Sequence, residues 1–368
     1  MIYLNNAATS WPKAPGVAEA VSNALIHLPG DENRASAEIS SGASDCRGLL
    51  ASLLGVSDPR RLVLTSNATQ ALNIAMLGFP WKRGDRVLTT QAEHNSVLRP
   101  LYHLKKQGII DYTVLPVEAD GSVDPIKWKE ALGEIKPRLV VFTHASNASG
   151  AVNNATMLSA LAKDAGAFVL IDASQTLGLI PVAPAKWGAD MLAFTGHKYL
   201  LGPQGTGGLY ISSELELAPV FTGGTGIHSD QDEMPLALPM RLEAGTGNSH
   251  SFAGLSAAIK YTVNNPVDLS ALFARLTRLE AGLSLAGMKP IKVQGTRTPV
   301  VAAVSPLYSA DVLGEILSGF DIICRTGLHC APFYPNISGG TIRFSLSRFT
   351  TDEEINQTID ALREVHSE

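Results

Sequence analysis

Short runs of strand-forming residues recur along the chain, separated by helix-length segments, and this rhythm limits the fold more than any other feature. The runs are Leu62-Val-Leu-Thr65, Arg86-Val-Leu-Thr89, Tyr112-Thr-Val-Leu115, Leu139-Val-Val-Phe142, Phe168-Val-Leu-Ile171, Met191-Leu-Ala-Phe194 and Gly208-Leu-Tyr-Ile211. Segments such as 69–78, 96–107 and 155–165 lie between them. Strands joined through helices form crossovers, and crossovers build a mostly parallel sheet covered on both faces. We therefore expect an α/β fold whose large domain, residues 15–245, holds a mostly parallel seven-stranded sheet. Residues 1–14 are expected to pack near the functional site, and residues 246–368 to form a smaller α+β C-terminal domain. The second domain is read from a helical stretch after Ser251, the run Pro299-Val-Val-Ala-Ala-Val304, a helix near 310–318, Asp321-Ile-Ile-Cys324, a strand at Thr341-Ile-Arg-Phe-Ser345 and a closing helix. No Pro/Ser-rich linker separates the two parts, so they are expected to pack together.

Composition narrows the class. With 368 residues, 45% of them hydrophobic and 17% charged, the chain matches an ordinary globular enzyme. A formal charge of -5 without a basic cluster argues against nucleic acid as a partner. No apolar run approaches the roughly 20 residues of a membrane span, and Met1-Ile-Tyr-Leu-Asn-Asn lacks a charged leader, so a cytoplasmic location and no membrane partner are expected. The 3 cysteines, Cys46, Cys324 and Cys330, show no CxxC spacing, which points to neither a disulfide framework nor a metal site.

Chemistry is suggested first by Lys198, which follows an apolar run and precedes a glycine-rich turn in Thr195-Gly-His-Lys-Tyr-Leu-Leu-Gly. In isolation such a lysine reads as a solvated surface charge. Upstream, however, the run ending at Ile171 leads into Asp172-Ala-Ser-Gln175, which sets a carboxylate at the end of another strand. Pyridoxal phosphate requires this pair: a lysine to carry its aldehyde as a Schiff base, and an acid to keep its ring nitrogen protonated. Ala68 and Thr69 open a helical run after the strand at 62–65, where unpaired amides and a hydroxyl suit a phosphate. An N-cap threonine is the alternative reading of Thr69.

The ordered set Tyr3-Leu-Asn-Asn-Ala-Ala-Thr9, Ser66-Asn-Ala-Thr-Gln-Ala-Leu-Asn73, Glu93-His-Asn-Ser-Val97, Ser146-Asn147, Asp172-Ala-Ser-Gln175, Thr195-Gly-His-Lys198, Glu243-Ala-Gly-Thr-Gly-Asn248, Arg325-Thr-Gly-Leu-His-Cys-Ala-Pro332 and Arg343-Phe-Ser-Leu-Ser347 spans nearly the whole chain. It resembles the class V branch of fold-type I PLP-dependent transferases, and within that branch the cysteine desulfurase and selenocysteine lyase group. The resemblance implies that Thr69, Thr195 and His197 form a phosphate cup, completed by Thr246 from the other subunit of a homodimer. It implies that His94 stacks on the pyridine ring, Asp172 meets its nitrogen, and Gln175 and Asn147 lie near its phenolic oxygen. Arg343 is then the residue that grips the substrate carboxylate, for which a guanidinium is better shaped than an ammonium. An internal ion pair is the alternative for Arg343. Arg325 reads as a second guanidinium near substrate or thiol, and Glu93 as an orienter of neighbouring backbone.

Cys330 lies in a glycine-containing loop beside a histidine, a setting suited to an accessible thiolate. Cys324, at the end of the apolar run Ile322-Ile323-Cys324, and Cys46, on a helical run, read as packing residues. The implied activity converts L-cysteine or L-selenocysteine to L-alanine: Arg343 holds the carboxylate, Lys198 moves the α-proton, His94 assists, and Cys330 takes the chalcogen, which a sulfur-acceptor protein can then collect. An aminotransferase or β-lyase on the same cofactor is the alternative, and a non-catalytic binding module on the same fold is a third. A nucleotide-binding enzyme is disfavoured by the absence of GxGxxG after the first strand and of GxxxxGK[ST]. The cysteine segment resembles the branch with a short Arg-Thr-Gly-x-His-Cys-Ala loop. Leu328, Ala37 and Asn5 depart from residues common among relatives, each removing a possible proton carrier or ligand contact.

Overall fold

The structure is a computed structural model that describes residues 1–27, 42–227, 230–335 and 339–367. Ala37 lies outside the described residues. Strand β1 (Ile2–Tyr3) leads into helices α1 (Val17–Ile26) and α2 (Gly42–Leu54). Strands and helices then alternate as β2 (Leu62–Thr65), α3 (Ala68–Leu77), β3 (Asp85–Thr90), α4 (Asn95–Lys106), β4 (Ile110–Leu115), α5 (Pro125–Ile135), β5 (Leu139–Thr143), α6 (Ala155–Asp164), β6 (Phe168–Asp172), α7 (Pro184–Trp187), β7 (Met191–Thr195) and β8 (Gly207–Ile211). The chain continues through α8 (Ser249–Asn264), α9 (Leu269–Leu285), β9 (Lys289–Pro290), β10 (Val300–Val304), α10 (Ala310–Gly319), β11 (Ile322–Ile323), β12 (Arg325–Gly327), β13 (Thr341–Ser345) and α11 (Asp352–Ser367).

The expected seven-stranded sheet is present, in the order β2-β8-β7-β6-β5-β3-β4. Its pairs from β7 to β4 are parallel, while β8 runs antiparallel to both β2 and β7. Every residue of β5 and β7 is buried, as expected for strands covered on both faces. Alternation along the strands supplies separate cores to the two faces. Val141, Leu170 and Ala193 meet Leu72, Val97 and Leu101 of α3 and α4. Val140, Phe142, Val169, Ile171, Leu192 and Phe194 instead face a core shared with α2, α5, α6 and α8.

The helix after Ser251 is expected in the smaller lobe. In the structure, Phe252, Leu255, Ala258 and Ile259 of α8 enter the core of the large sheet, so that core continues beyond residue 245. Their spacing marks an apolar helical stripe without specifying which core receives it. The smaller lobe is built on the antiparallel sheet β12-β13-β10-β9, with α9, α10 and α11 covering a second core around Phe344, Leu276 and Leu362. Strand β1 joins this lobe by parallel pairing with β11.

A polar contact anchors the approach to Thr246. Arg47 Nη1 and Nη2 donate to Glu243 Oε1 and Oε2 at 2.8 and 3.0 Å, and Leu64 N donates to Glu243 Oε1 at 2.5 Å. This two-pronged pair ties α2 and β2 to the segment leading into Thr246. Glu243→Ala removes the carboxylate from both partners; with 23% of the Glu243 side chain exposed, the loss belongs at or below the low end of buried pairs, about 2–3 kcal/mol. Urea denaturation is expected to show a lower midpoint at unchanged slope.

Candidate active site

Residues at the carboxyl ends of the parallel strands surround a cavity of about 200 Å³. This is the edge where open α/β sheets bind ligands, because polar groups can face a crevice there without interrupting the two apolar cores. Ala68, Thr69, His94, Asn147, Asp172, Gln175, Thr195, His197, Lys198, Arg325 and Arg343 line it. These residues come from distant segments of the chain. Cys330 borders the cavity rather than lining it, and Thr246 is exposed and outside the cavity of the single chain.

Asn67, not Thr69, caps α3: its side chain accepts from Gln70 N at 2.9 Å. The N-cap alternative for Thr69 is therefore incorrect. Thr69 Oγ1 lies 2.7 Å from Ser96 Oγ, while the Ala68 and Thr69 amides precede the first intrahelical bond and point their partial positive charge toward the cavity end of the helix. Thr195 Oγ1 donates to Thr206 O at 3.3 Å. The His197 ring Nδ1 and Ser174 Oγ are buried without a partner, so the described residues leave polar capacity for a bound group.

His94 caps α4, with Nδ1 accepting from Ser96 N at 3.0 Å. This arrangement places the neutral ring's proton on Nε2. Burial, followed by the charge of Lys198, pushes its pKa down to about 4. Lys198 itself is lowered to about 8, chiefly by burial, with Asp172 acting in the opposite direction. Asp172 closes β6 and accepts from Ser174 N at 2.9 Å. Behind it, burial raises Glu93 to about 8, while Glu93 Oε1 accepts from Thr90 Oγ1 at 2.6 Å and Thr143 N at 3.0 Å. Its contact with Thr143 supplies the backbone orientation expected of Glu93.

Arg343 has no carboxylate partner among the described residues, which excludes its alternative as an internal ion pair there. Nη1 donates to Asn147 O at 2.6 Å and Nη2 to Asn5 Oδ1 at 3.3 Å, while Nε is buried without a partner. Burial is the main cause that lowers its pKa to about 10, and the charge of Arg325 adds to the shift. The antiparallel register sets Arg325 directly opposite Arg343. Like charges in that position oppose folding, so an anion between them would offset their repulsion.

Arg325 also donates through Nη2 to Cys330 Sγ at 2.9 Å. His329 and Cys330 both have left-handed backbone angles, φ 53° and 62°. Such conformations cost about 1–3 kcal/mol each and require surrounding contacts. Here Asn147 Nδ2 donates to His329 O at 2.6 Å, Asn95 N donates to Cys330 O at 2.8 Å, and His329 Nε2 lies 2.6 Å from Thr341 Oγ1. Leu328, in the same loop, is 42% exposed. By contrast, burial pushes both Cys324 and Cys46 up to about 12.

Ser96, Ser174 and His329 also line the cavity, although the sequence reading did not select them as site residues. Each lies within two residues of a selected position, so proximity to His94, Asp172 and Cys330 was their available signal. Among the described residues, no cluster of His, Cys, Asp and Glu has the arrangement of a metal site, and no helix is long and apolar enough to cross a membrane.

Residues 2–358 match the family described as Aminotransferase class-V. A relative from Methanothermobacter thermautotrophicus named "Probable cysteine desulfurase" is 34% identical, with 83% of this chain and 79% of the relative covered. One of the same name from Pyrococcus abyssi is 31% identical, with 99% of this chain and 94% of the relative covered. The apo cysteine desulfurase of Thermococcus onnurineus NA1 superimposes with a TM-score of 0.91 at 28% identity, covering 100% of this chain and 94% of that chain. The sheet, the cavity at its carboxyl edge and these likenesses lead to one assignment: the chain belongs to the class-V aminotransferase family.

Proposed function

We propose that this protein is a pyridoxal-phosphate-dependent cysteine desulfurase that converts L-cysteine to L-alanine and receives sulfur on Cys330. The observation carrying this reading is Arg325, which stands opposite an Arg343 lacking a carboxylate partner and simultaneously holds Cys330 Sγ beside the cavity containing Lys198. The unpartnered His197 Nδ1 and the Asp172–Lys198 arrangement fit the proposed cofactor. The α3 amides, Thr69, Thr195 and His197 would hold its phosphate, with Thr246 entering from a second copy of the chain. Asp172 would meet the ring nitrogen, His94 its face, and Gln175 and Asn147 its oxygen-bearing edge.

When bound through Lys198, pyridoxal phosphate supplies an electron sink for breaking bonds at the amino-acid α-carbon. Arg343, aided by Arg325, binds the substrate carboxylate. Lys198, once its amine is free, accepts the α-proton, and neutral His94 helps carry protons near it. Cys330 thiolate attacks the substrate sulfur; an S–S bond forms as the C–S bond breaks, leaving its electron pair with carbon. Protonation of that carbon and return of the α-proton from Lys198 yield alanine, and the sulfur remains as a persulfide on Cys330.

Cys330→Ala is expected to retain cofactor but lose about a hundredfold or more in alanine formation, because the attacking group is absent. Cys324→Ala is expected to keep most activity. Alanine and protein-bound persulfide are measured with cysteine and selenocysteine supplied separately; wild-type turnover by Cys330→Ala, or a keto acid as the product, would reject the desulfurase reading. Arg343→Ala is expected to weaken cysteine binding by about 2–5 kcal/mol while preserving cofactor binding. Spectroscopic substrate titration reads both quantities.

The lowered lysine pKa has a defined direction. As pH rises through about 8, apoprotein Lys198 loses its proton, so pyridoxal phosphate uptake is expected to accelerate there and then level off. Stopped-flow uptake that keeps rising toward the ordinary lysine value of 10.5 would contradict this environment for Lys198.

A further inference from the structure

The segment following β1 spans from the smaller lobe to the lysine-bearing end of β7. Asn6 Nδ2 donates to Ser345 O at 2.9 Å, Asn5 Oδ1 accepts from Arg343, and Ala7 and Ala8 line the cavity. The segment ends at the carbonyl oxygen of His197, immediately before Lys198: Ser10 N donates to it at 2.8 Å and Lys13 Nζ at 3.2 Å. Lys13 Nζ also donates to Thr9 Oγ1 and Ser10 Oγ, both at 3.2 Å. An ammonium has three N–H donors, and these oxygens provide an acceptor for each.

All these acceptors are neutral, and no acid pairs with Lys13 among the described residues. Burial pushes its pKa down to about 8, leaving it protonated at neutral pH. A surface ion pair would gain little by this confinement. Thr9 Oγ1 and Ser10 Oγ themselves donate to the His197 carbonyl, at 3.2 and 3.1 Å, and the positive group binds all three oxygens, reinforcing the join between the N-terminal segment and the peptide that sets the origin of the Lys198 side chain.

We propose that Lys13 is a positioning residue, a built-in monovalent cation whose ammonium clamps the His197 carbonyl to Thr9 and Ser10 and thereby fixes Lys198 relative to the substrate-facing segment. The proposal rests on Lys198 being the cofactor-bearing lysine. Its defining requirement is a positive hydrogen-bond donor at one point. A free ammonium ion meets that requirement when the Lys13 side chain is removed, whereas an apolar stem of similar length does not.

The test uses Lys13→Ala and Lys13→Met holoenzymes. Pyridoxal phosphate affinity is measured by titration, and occupancy of Lys198 by borohydride fixation and mass spectrometry. Both variants are expected to lose about tenfold in affinity, within the range associated with misplaced reacting groups. Ammonium chloride is expected to restore Lys13→Ala, tetramethylammonium chloride at equal ionic strength to leave it impaired, and neither to restore Lys13→Met. Wild-type affinity in either variant, or equal rescue by both salts, would overturn the clamp. If Lys13→Ala does not fold, impaired Lys13→Met supports the requirement for charge and wild-type Lys13→Met rejects it. If wild type carries no cofactor on Lys198, the proposed function fails separately, and melting of the apoproteins reads the clamp: stabilisation of Lys13→Ala by ammonium alone supports it, and no difference between salts rejects it.

Discussion

Burial of the central strands on both faces is the constraint on which the remaining structure depends. Val140 and Phe142 turn toward one core while Val141 turns toward the other, leaving neither face available for polar chemistry. Asp172, Thr195 and the residues after β3 therefore meet at the carboxyl edge, where strands give way to loops and helix starts. The same geometry explains why Glu93 can remain predominantly protonated at neutral pH: it lies beneath that edge, bonded to Thr90 and Thr143 rather than to a cation. Asp172 is left as the acid at the cavity wall.

The smaller lobe contributes the opposite charge. Arg343 is buried on a central strand, and its opposite neighbour is another arginine rather than an acid. Desolvation and mutual repulsion both disfavour this arrangement in isolation. The cysteine loop likewise retains two left-handed residues through contacts from Asn147, Asn95 and Thr341. Charge concentration and backbone strain thus occur on the same side of the cavity, with Arg325 connecting them through Cys330.

Much of this architecture was legible in local patterns. The β-forming runs and intervening helical segments specified a mostly parallel sheet, and the loop residues beyond those runs converge on its cavity. The origin of the α8 partner was less legible because an apolar stripe declares a buried face but not its destination. Thr69 illustrates another ambiguity: its position suited a helix cap, but the preceding Asn67 side chain reaches Gln70 N instead. Direct opposition of Arg325 and Arg343 depends on strand register, and the grip of Lys13 on the His197 carbonyl joins residues distant in sequence. Neither relation follows from residue type alone.

That register also limits evolutionary change. Strand side chains alternate faces, so a one-residue deletion within β13 before Arg343 would turn its guanidinium away from the cavity unless pairing shifted with it. A compensating slip would instead reassign the inward set formed with β10 and disturb the lobe's packing. Substitutions can explore the cavity one side chain at a time, whereas length changes in this short strand exchange whole faces. The lineage can consequently vary the chemistry around Arg343 more readily than the spacing that delivers it.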